Sequence, residues 1–138
     1  MSQQVGDEQQ VQQAADALVA AFGEGRVEDY FACFDPGATF LFHGTEVRLE
    51  SLAEYRALWA RWEAEDGFRV RSCASTSPRV QLLGDVAVFL HDVRTEVSAG
   101  GEDAVLRERE TIVFARGADG AWRAVHEHLS VAPWSSAS

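Results

Sequence analysis

The hydrophobic period of this chain changes at Gly67, and that change limits the folds open to it more than any other feature. Upstream, Val11, Ala14, Ala15, Leu18, Val19 and Phe22 recur at helical spacing. They predict a helix over about Asp7 to Phe22, ended by Gly23 and Gly25. A short second helix is expected over Val27 to Cys33, with Tyr30, Phe31 and Phe34 turned inward. Asp35-Pro36-Gly37 is turn chemistry, and Ala38 to His43 reads as a strand rich in aromatic and branched residues. Ser51 with Glu54 three residues on forms a capping box for a third helix, Leu52 to Glu63. Downstream of Gly67 the period is two, with strands expected at Phe68–Thr76, Val86–Val97, Val105–Ala115 and Trp122–Val131. Leu83-Gly84-Asp85, Ala99-Gly100-Gly101 and Gly117-Ala118-Asp119-Gly120 separate them as turns. Helices gathered before a run of strands define an α+β chain whose helices pack on one face of an antiparallel meander.

A length of 138 residues with 46% hydrophobic residues suits one domain, expected over residues 1–134, with a loose Ser/Ala tail at 135–138. The net charge of −10 repels nucleic acid and anionic membrane, so neither is expected as a partner. Cys33 and Cys73 form neither a disulfide framework nor a zinc signature, and both read as small buried hydrophobes. Met1 to Gln13 lacks the apolar core of a secretory signal, and no apolar run approaches the roughly 18 residues of a membrane span. These features predict a cytoplasmic protein. Gly23-x-Gly25 lies between two helices, the wrong context for a dinucleotide fingerprint. No cofactor is expected.

The order of elements and the ending Glu110-Thr111-x-x-Phe114, Asp119-Gly120-x-Trp122-x-x-Val125-His126-x-His128-x-Ser130-x-Ala132-Pro133 resemble the nuclear transport factor 2-like superfamily. The resemblance is strongest to its SnoaL-like and calmodulin-dependent-kinase association-domain branches. It implies a cystatin-like cone: a curved antiparallel sheet wrapped around N-terminal helices, with an internal pocket and a homodimer formed through the sheet. Members include isomerases, dehydratases, cyclases and assembly modules, so the fold leaves the function open. The arginines lining the kinase association domain's carboxylate-binding pocket would align with Asp92, Ile112 and Leu129, none of them a cation. In the steroid isomerase branch the hydrogen-bonding acid would align with Glu110. The general base there falls at Phe42 and the essential tyrosine at Leu18, so that activity does not carry over.

Strand alternation sorts the polar residues of the meander. In the last strand Trp122, Ala124, His126, His128 and Ser130 point one way, and Arg123, Val125, Glu127, Leu129 and Val131 the other. Pairing Val86–Val97 with Val105–Ala115 is expected to place Asp92, Arg94, Glu96, Glu108 and Glu110 on one face, joined by Glu127. His91, Arg107, Arg109 and Thr111 would share the other with His126 and His128. The family alignment makes the acidic face the pocket wall, with Phe40, Phe42, Tyr55, Trp59, Trp62, Leu90, Ile112, Phe114, Val125, Glu127 and Leu129 lining it. Those aromatic rings equally suit an ordinary core.

Two readings of Glu110 stay open. Desolvated beside Ile112, Phe42 and the tryptophans, it becomes an acid–base group supported by Asp92 and Arg94; otherwise it forms an ion pair with Arg94. Asp92 and Glu127 complete a carboxylate cluster, or are neutralised by Arg94 and Arg123. His91, Arg107, Arg109, His126, His128 and Ser130 are expected at the dimer face or an alternative site. There the two C-terminal histidines bond Thr111, Ser130 or a neighbouring subunit, build an anion site with the arginines, or take His91 as a third metal ligand. No metal is expected. His43 faces the pocket mouth or ends a loop. The functional expectation is a pocket for a small, modestly apolar organic ligand with isomerase or lyase chemistry. The alternative is a non-catalytic homo-oligomeric assembly module.

Overall fold

The apolar stripe of the first helix decides where the sheet must close. In the computed structural model, which describes residues 2–133, α1 (Ser2–Gly23) buries Val11, Ala15, Leu18 and Ala21 along one face. The elements that follow are α2 (Val27–Phe31), β1 (Phe34–Phe42), α3 (Leu52–Asp66), β2 (Arg69–Leu83), β3 (Val86–Ala99), β4 (Glu102–Arg116) and β5 (Trp122–Val131). The architecture is α+β, with a curved, open five-stranded sheet and the helices packed against one of its faces. The tail expected after Trp134 lies outside the described residues.

The start of α3 follows its capping signal. The Ser51 hydroxyl accepts the Glu54 N–H at 3.2 Å, and the Glu54 carboxylate accepts the N–H of Glu50 at 3.0 Å, one residue earlier than a reciprocal box requires. Gly67, at φ 62°, ends the helix: its N–H reaches the Glu63 carbonyl while Phe68 N–H reaches that of Trp62. No described helix is long and apolar enough to cross a membrane.

The sheet order is β1-β5-β4-β3-β2, and β1 runs parallel to β5, so the sheet is not wholly antiparallel as expected. Asp35-Pro36-Gly37 does not reverse the chain. It sits inside β1, in a register shift between Phe34 and Thr39. Likewise β2 runs past its expected end through Ser77-Pro78 to Leu83, with a register shift between Thr76 and Arg79. Both prolines lie on edge strands, where a missing N–H breaks no interior ladder.

Two local devices set which side chains face the helices. Gly100 and Gly101 have φ of 60° and 80°, the left-handed pair of a two-residue hairpin turn. That turn pairs Ala99 with Glu102 and therefore His91 with Glu110 and Asp92 with Arg109. The expected pairing is thus off by one residue: His91 shares the inner face with Glu108 and Glu110, while Asp92, Arg94 and Glu96 join Arg107, Arg109 and Thr111 outside. In β5 the ladder shifts at Val125, since Val113 pairs with His126 but Phe114 with Ala124. This bulge turns Trp122 and Ala124 inward together with Glu127, so they do not share a face with His126 and His128 as unbroken alternation implied.

The helices approach the sheet closely at one point. A Cβ added to Gly23, at the end of α1, would stand 2.9 Å from the Cys73 backbone nitrogen of β2. Alanine normally stabilises a helix relative to glycine, but here it must push two packed elements apart. Gly23→Ala is expected to destabilise the fold by about 1–3 kcal/mol, read as a lower thermal midpoint. An unchanged or raised midpoint would show that α1 does not sit this close to β2.

Candidate functional site

Three glutamates face the helices from the central strand of the sheet and one of its neighbours. Glu108 and Glu110 project inward from β4 and Glu127 from β5, all three buried. Such groups are buried only when hydrogen-bonded or neutralised. The Tyr30 hydroxyl of α2 donates to Glu127 Oε1 at 3.2 Å. Its oxygen lies 3.0 Å from the Tyr55 hydroxyl of α3, which donates in turn. Glu127 and Glu110 hydrogen-bond each other. On the far side, Glu110 Oε1 stands 2.6 Å from His91 Nε2, and His91 Nδ1 stands 2.6 Å from Ser75 Oγ. A continuous chain of polar contacts therefore crosses the interior from Tyr55 to Ser75.

Burial sets the charges along this chain. Desolvation raises the Glu110 carboxyl to about 7, reinforced by the charge of Glu108 and opposed by the hydrogen bond from Glu127. Desolvation, with the charge of Glu110 next, holds Glu127 well above the usual carboxylate range. The same desolvation pushes His91 down to about 4, against the charges of Glu127 and Asp92. The 2.6 Å His91–Glu110 contact has the length of an ion pair. With the imidazole lowered and the carboxyl raised, it is a hydrogen bond of an uncharged histidine at neutral pH. The Tyr30 and Tyr55 hydroxyls, raised by burial first, stay protonated as donors. Two hydrogen-bonded carboxyls that share protons in this way form a dyad.

The dyad floors a narrow recess of about 40 Å³, lined also by Leu18, Tyr30, Tyr55, Cys73, Thr95 and Glu108. Phe22, Tyr55, Thr95, Glu108 and Leu129 line both this recess and a wider chamber of about 320 Å³. Phe42, Trp59, Trp62 and Phe68 give that chamber its aromatic wall, with His43, Gly44, Thr45 and Asp66 polar around them. His43, read as either a mouth residue or a loop end, lines this chamber, and its Nε2 lies 2.5 Å from Oε2 of the interior Glu108. Cys73 beside the recess is pushed up to about 12 by burial, which leaves it a thiol.

Of the residues read from sequence, the structure brings together Glu110, Glu127, Phe42, Tyr55, Trp59, Trp62 and Leu129. Phe40, Ile112 and Phe114 lie in the hydrophobic core and line neither chamber. Val125 is the bulge residue, and Leu90 lies on the outer face. Asp92 and Arg94 stand across the sheet from Glu110. Arg94 pairs with Glu96 at 2.8 Å, and Arg123 with Asp119 at 2.8 Å rather than with Glu127. His91 leaves the expected dimer-face set for the interior, so it cannot complete a metal site with His126 and His128. His126 Nδ1 lies 2.8 Å from Thr39 Oγ1. Arg109, His128 and Ser130 meet on the outer face around a cleft of about 340 Å³ shared with Asp92 and Thr111. Among the described residues no group of three or more His, Cys, Asp or Glu is arranged to hold a metal. Tyr30, Phe22, Phe68, Ser75 and Thr95 were not read as site residues. The turn at Gly100-Gly101 carried the signal for His91, whereas nothing near Tyr30 in sequence announces its contact with Glu127.

An α+β chain whose N-terminal helices pack on one face of an open, curved five-stranded sheet has the architecture of nuclear transport factor 2-like proteins. The SnoaL-like domain family matches residues 11–133, and the chain belongs to it. Among solved structures, the chain is similar to a ketosteroid isomerase-like protein from Erwinia carotovora atroseptica SCRI1043, at 16% identity over 91% of this chain and 95% of that one, with a TM-score of 0.75. It is similar to the S. rosetta CaMKII hub at 23% identity, covering 91% and 96% of the two chains, with a TM-score of 0.73. A Catenulispora acidiphila protein in complex with S-DNPA superposes with a TM-score of 0.76 at 15% identity, covering 97% and 99%. At these identities the likeness shows the fold.

The raised carboxyl makes stability depend on pH. A folded-state value above the unfolded one gives a contribution present in acid and lost as pH rises through the folded value. Glu110, moved from 4.5 to about 7, therefore loses up to roughly 3 kcal/mol across that interval. His91 acts oppositely over 4 to 6.5, but it is common to both proteins in a comparison of Glu110→Gln with the parent. The variant's thermal midpoint relative to the parent is expected to improve between about pH 5 and pH 8. A difference that stays constant with pH would mean that Glu110 ionises in the usual range.

Proposed function

We propose that the interior cavity binds a small, largely apolar organic molecule and that the Glu110–Glu127 dyad moves a proton to or from it, as an isomerase or lyase requires. The dyad itself carries this reading. A general acid or base works best with its pKa near the operating pH, and the Glu110 carboxyl stands at about 7. The aromatic wall of the chamber lowers the polarity around a bound molecule, which strengthens the electrostatics of proton transfer. Glu110 and Glu127 act as the proton-carrying groups, while His91 and Tyr30 hold them in place. The roles expected of Asp92 and Arg94 pass to Glu127 and His91. The likeness to a ketosteroid isomerase-like protein supports proton-transfer chemistry on this scaffold. The two free cysteines and the acidic composition support a cytoplasmic location.

The likeness to the CaMKII hub favours a second reading, a non-catalytic module that self-assembles. In either reading a homodimer would form through the outer sheet face, around the cleft that holds Leu90, Arg109, His128 and Ser130.

The two readings part on a reaction that needs only a base in an apolar pocket. The ring opening of 5-nitrobenzisoxazole begins with abstraction of a proton from carbon. The protein is expected to accelerate it, with a rate that rises with pH through about 7 as the dyad loses a proton. Glu110→Gln is expected to lower that rate by about 10²–10⁴-fold with the fold retained. An assembling chain that opens no benzisoxazole, or a variant whose only change is its melting temperature, would remove the catalytic role.

A further inference from the structure

Resting on that pocket reading, we propose that the ligand is an organic cation, with a ring-sized apolar body in the aromatic chamber and an ammonium head in the recess above Glu110 and Glu127. The first argument is shape. The recess of about 40 Å³ admits a group the size of one or a few waters, whereas the adjoining chamber of about 320 Å³ admits a ring system. A ligand filling both has a small head and a larger body.

The second argument is the supply of donors and acceptors. Glu108, Glu110 and Glu127 face the recess, and no arginine lines either chamber. The hydroxyl protons that could greet an anion are already committed. Tyr55 donates to Tyr30, Tyr30 to Glu127, and Thr95 to Cys73 Sγ at 3.7 Å. A carboxylate or phosphate head would meet no cationic side chain in the recess and would bring like charge to a dyad that ionises near 7. An ammonium head brings up to three donors and the missing positive charge. The third argument is the wall: Phe22 and Tyr55 line both the recess and the chamber, with Trp59 beside them in the chamber, and an aromatic ring attracts a cation that sits over its face within about 6 Å.

This assignment carries a proton linkage. A cation beside the dyad favours its ionised form, so binding expels a proton and affinity rises as pH rises through the dyad's value. Among the groups facing the dyad, His91 on β3 is held down to about 4 and Cys73 on β2 up to about 12. Tyr30 on α2 and Tyr55 on α3 are raised by burial. Glu108 on β4 is tied to His43 at 2.5 Å, and a His43→Gln variant separates that pair from the dyad.

Three naphthalene probes of matched ring and different head decide the matter by calorimetry: 1-naphthylmethylamine, 1-naphthalenemethanol and 1-naphthoate. The ammonium is expected to bind at least about tenfold more tightly than the alcohol, and the carboxylate to bind more weakly than either. The ammonium-to-alcohol affinity ratio is expected to grow between about pH 6 and pH 8 in both the parent and His43→Gln. In a Glu110→Gln/Glu127→Gln variant that ratio should fall to within about threefold of one. If that variant does not fold, the pH dependence of the ratio in the parent decides alone. A naphthoate that binds as tightly as the amine, or a preference that survives loss of both carboxyls, overturns the cation assignment while the pocket stands. Failure of all three probes to bind overturns the pocket reading together with it.

Discussion

Two carboxyl groups set side by side in an aromatic interior cannot both be ionised. Glu110 and Glu127 meet this constraint by retaining a proton between them, and much of the interior is arranged accordingly. The neighbouring imidazole of His91 stays uncharged and the two tyrosines act as donors. Guanidinium groups are spent elsewhere: Arg116 on Asp7 and Asp85, Arg56 on Glu28, Arg123 on Asp119. A guanidinium built into the recess would favour the ionised dyad and draw its pKa down.

The sheet holds the dyad in place through its register. With Ala99 opposite Glu102, every odd residue of β3 from Ala87 to Val97 faces inward beside the even residues of β4. A slip of one residue would put Arg109 into the aromatic interior and Glu110 into water. The bulge at Val125 does the same work on β5. It lets Trp122 and Ala124 close the core at one end while Glu127 and Leu129 face the cavity at the other. Leu18 and Phe22 of α1 and Tyr55 and Trp59 of α3 then cover the hollow. Stability and site thus share one set of contacts.

The elements were largely legible because their periods are strong: three helices and the strands of the meander lie where apolar spacing put them, although α1 starts earlier and β2 runs on to Leu83. The sheet edges were less legible. Pro36 read as part of a turn and the second strand was ended at Thr76, before Pro78; only the strand order shows that each proline sits on an edge where it is tolerated. The face of β3 was also written in the sequence, since two glycines in a two-residue turn fix which residues pair. Pairing Val86–Val97 with Val105–Ala115 one residue out across that turn gave the opposite parity and hid His91. The Val125 bulge and the Tyr30–Glu127 bond, made across 97 positions, have no local signature. Both depend on how helices and strands close on one another in three dimensions.

The shared proton is the claim on which the chemistry stands, and carbon-13 NMR of labelled glutamate side chains reads it directly. Titrated from acid to alkaline pH, the δ-carbons of Glu110 and Glu127 should remain in their protonated positions after the surface glutamates have ionised. They should then move together as the dyad loses a proton near 7, and replacing Glu110 by glutamine, which removes the charge that raises Glu127, should bring Glu127 down toward the ordinary range. If every glutamate δ-carbon titrates independently near 4.5, no proton is held between the two carboxyls and the account fails.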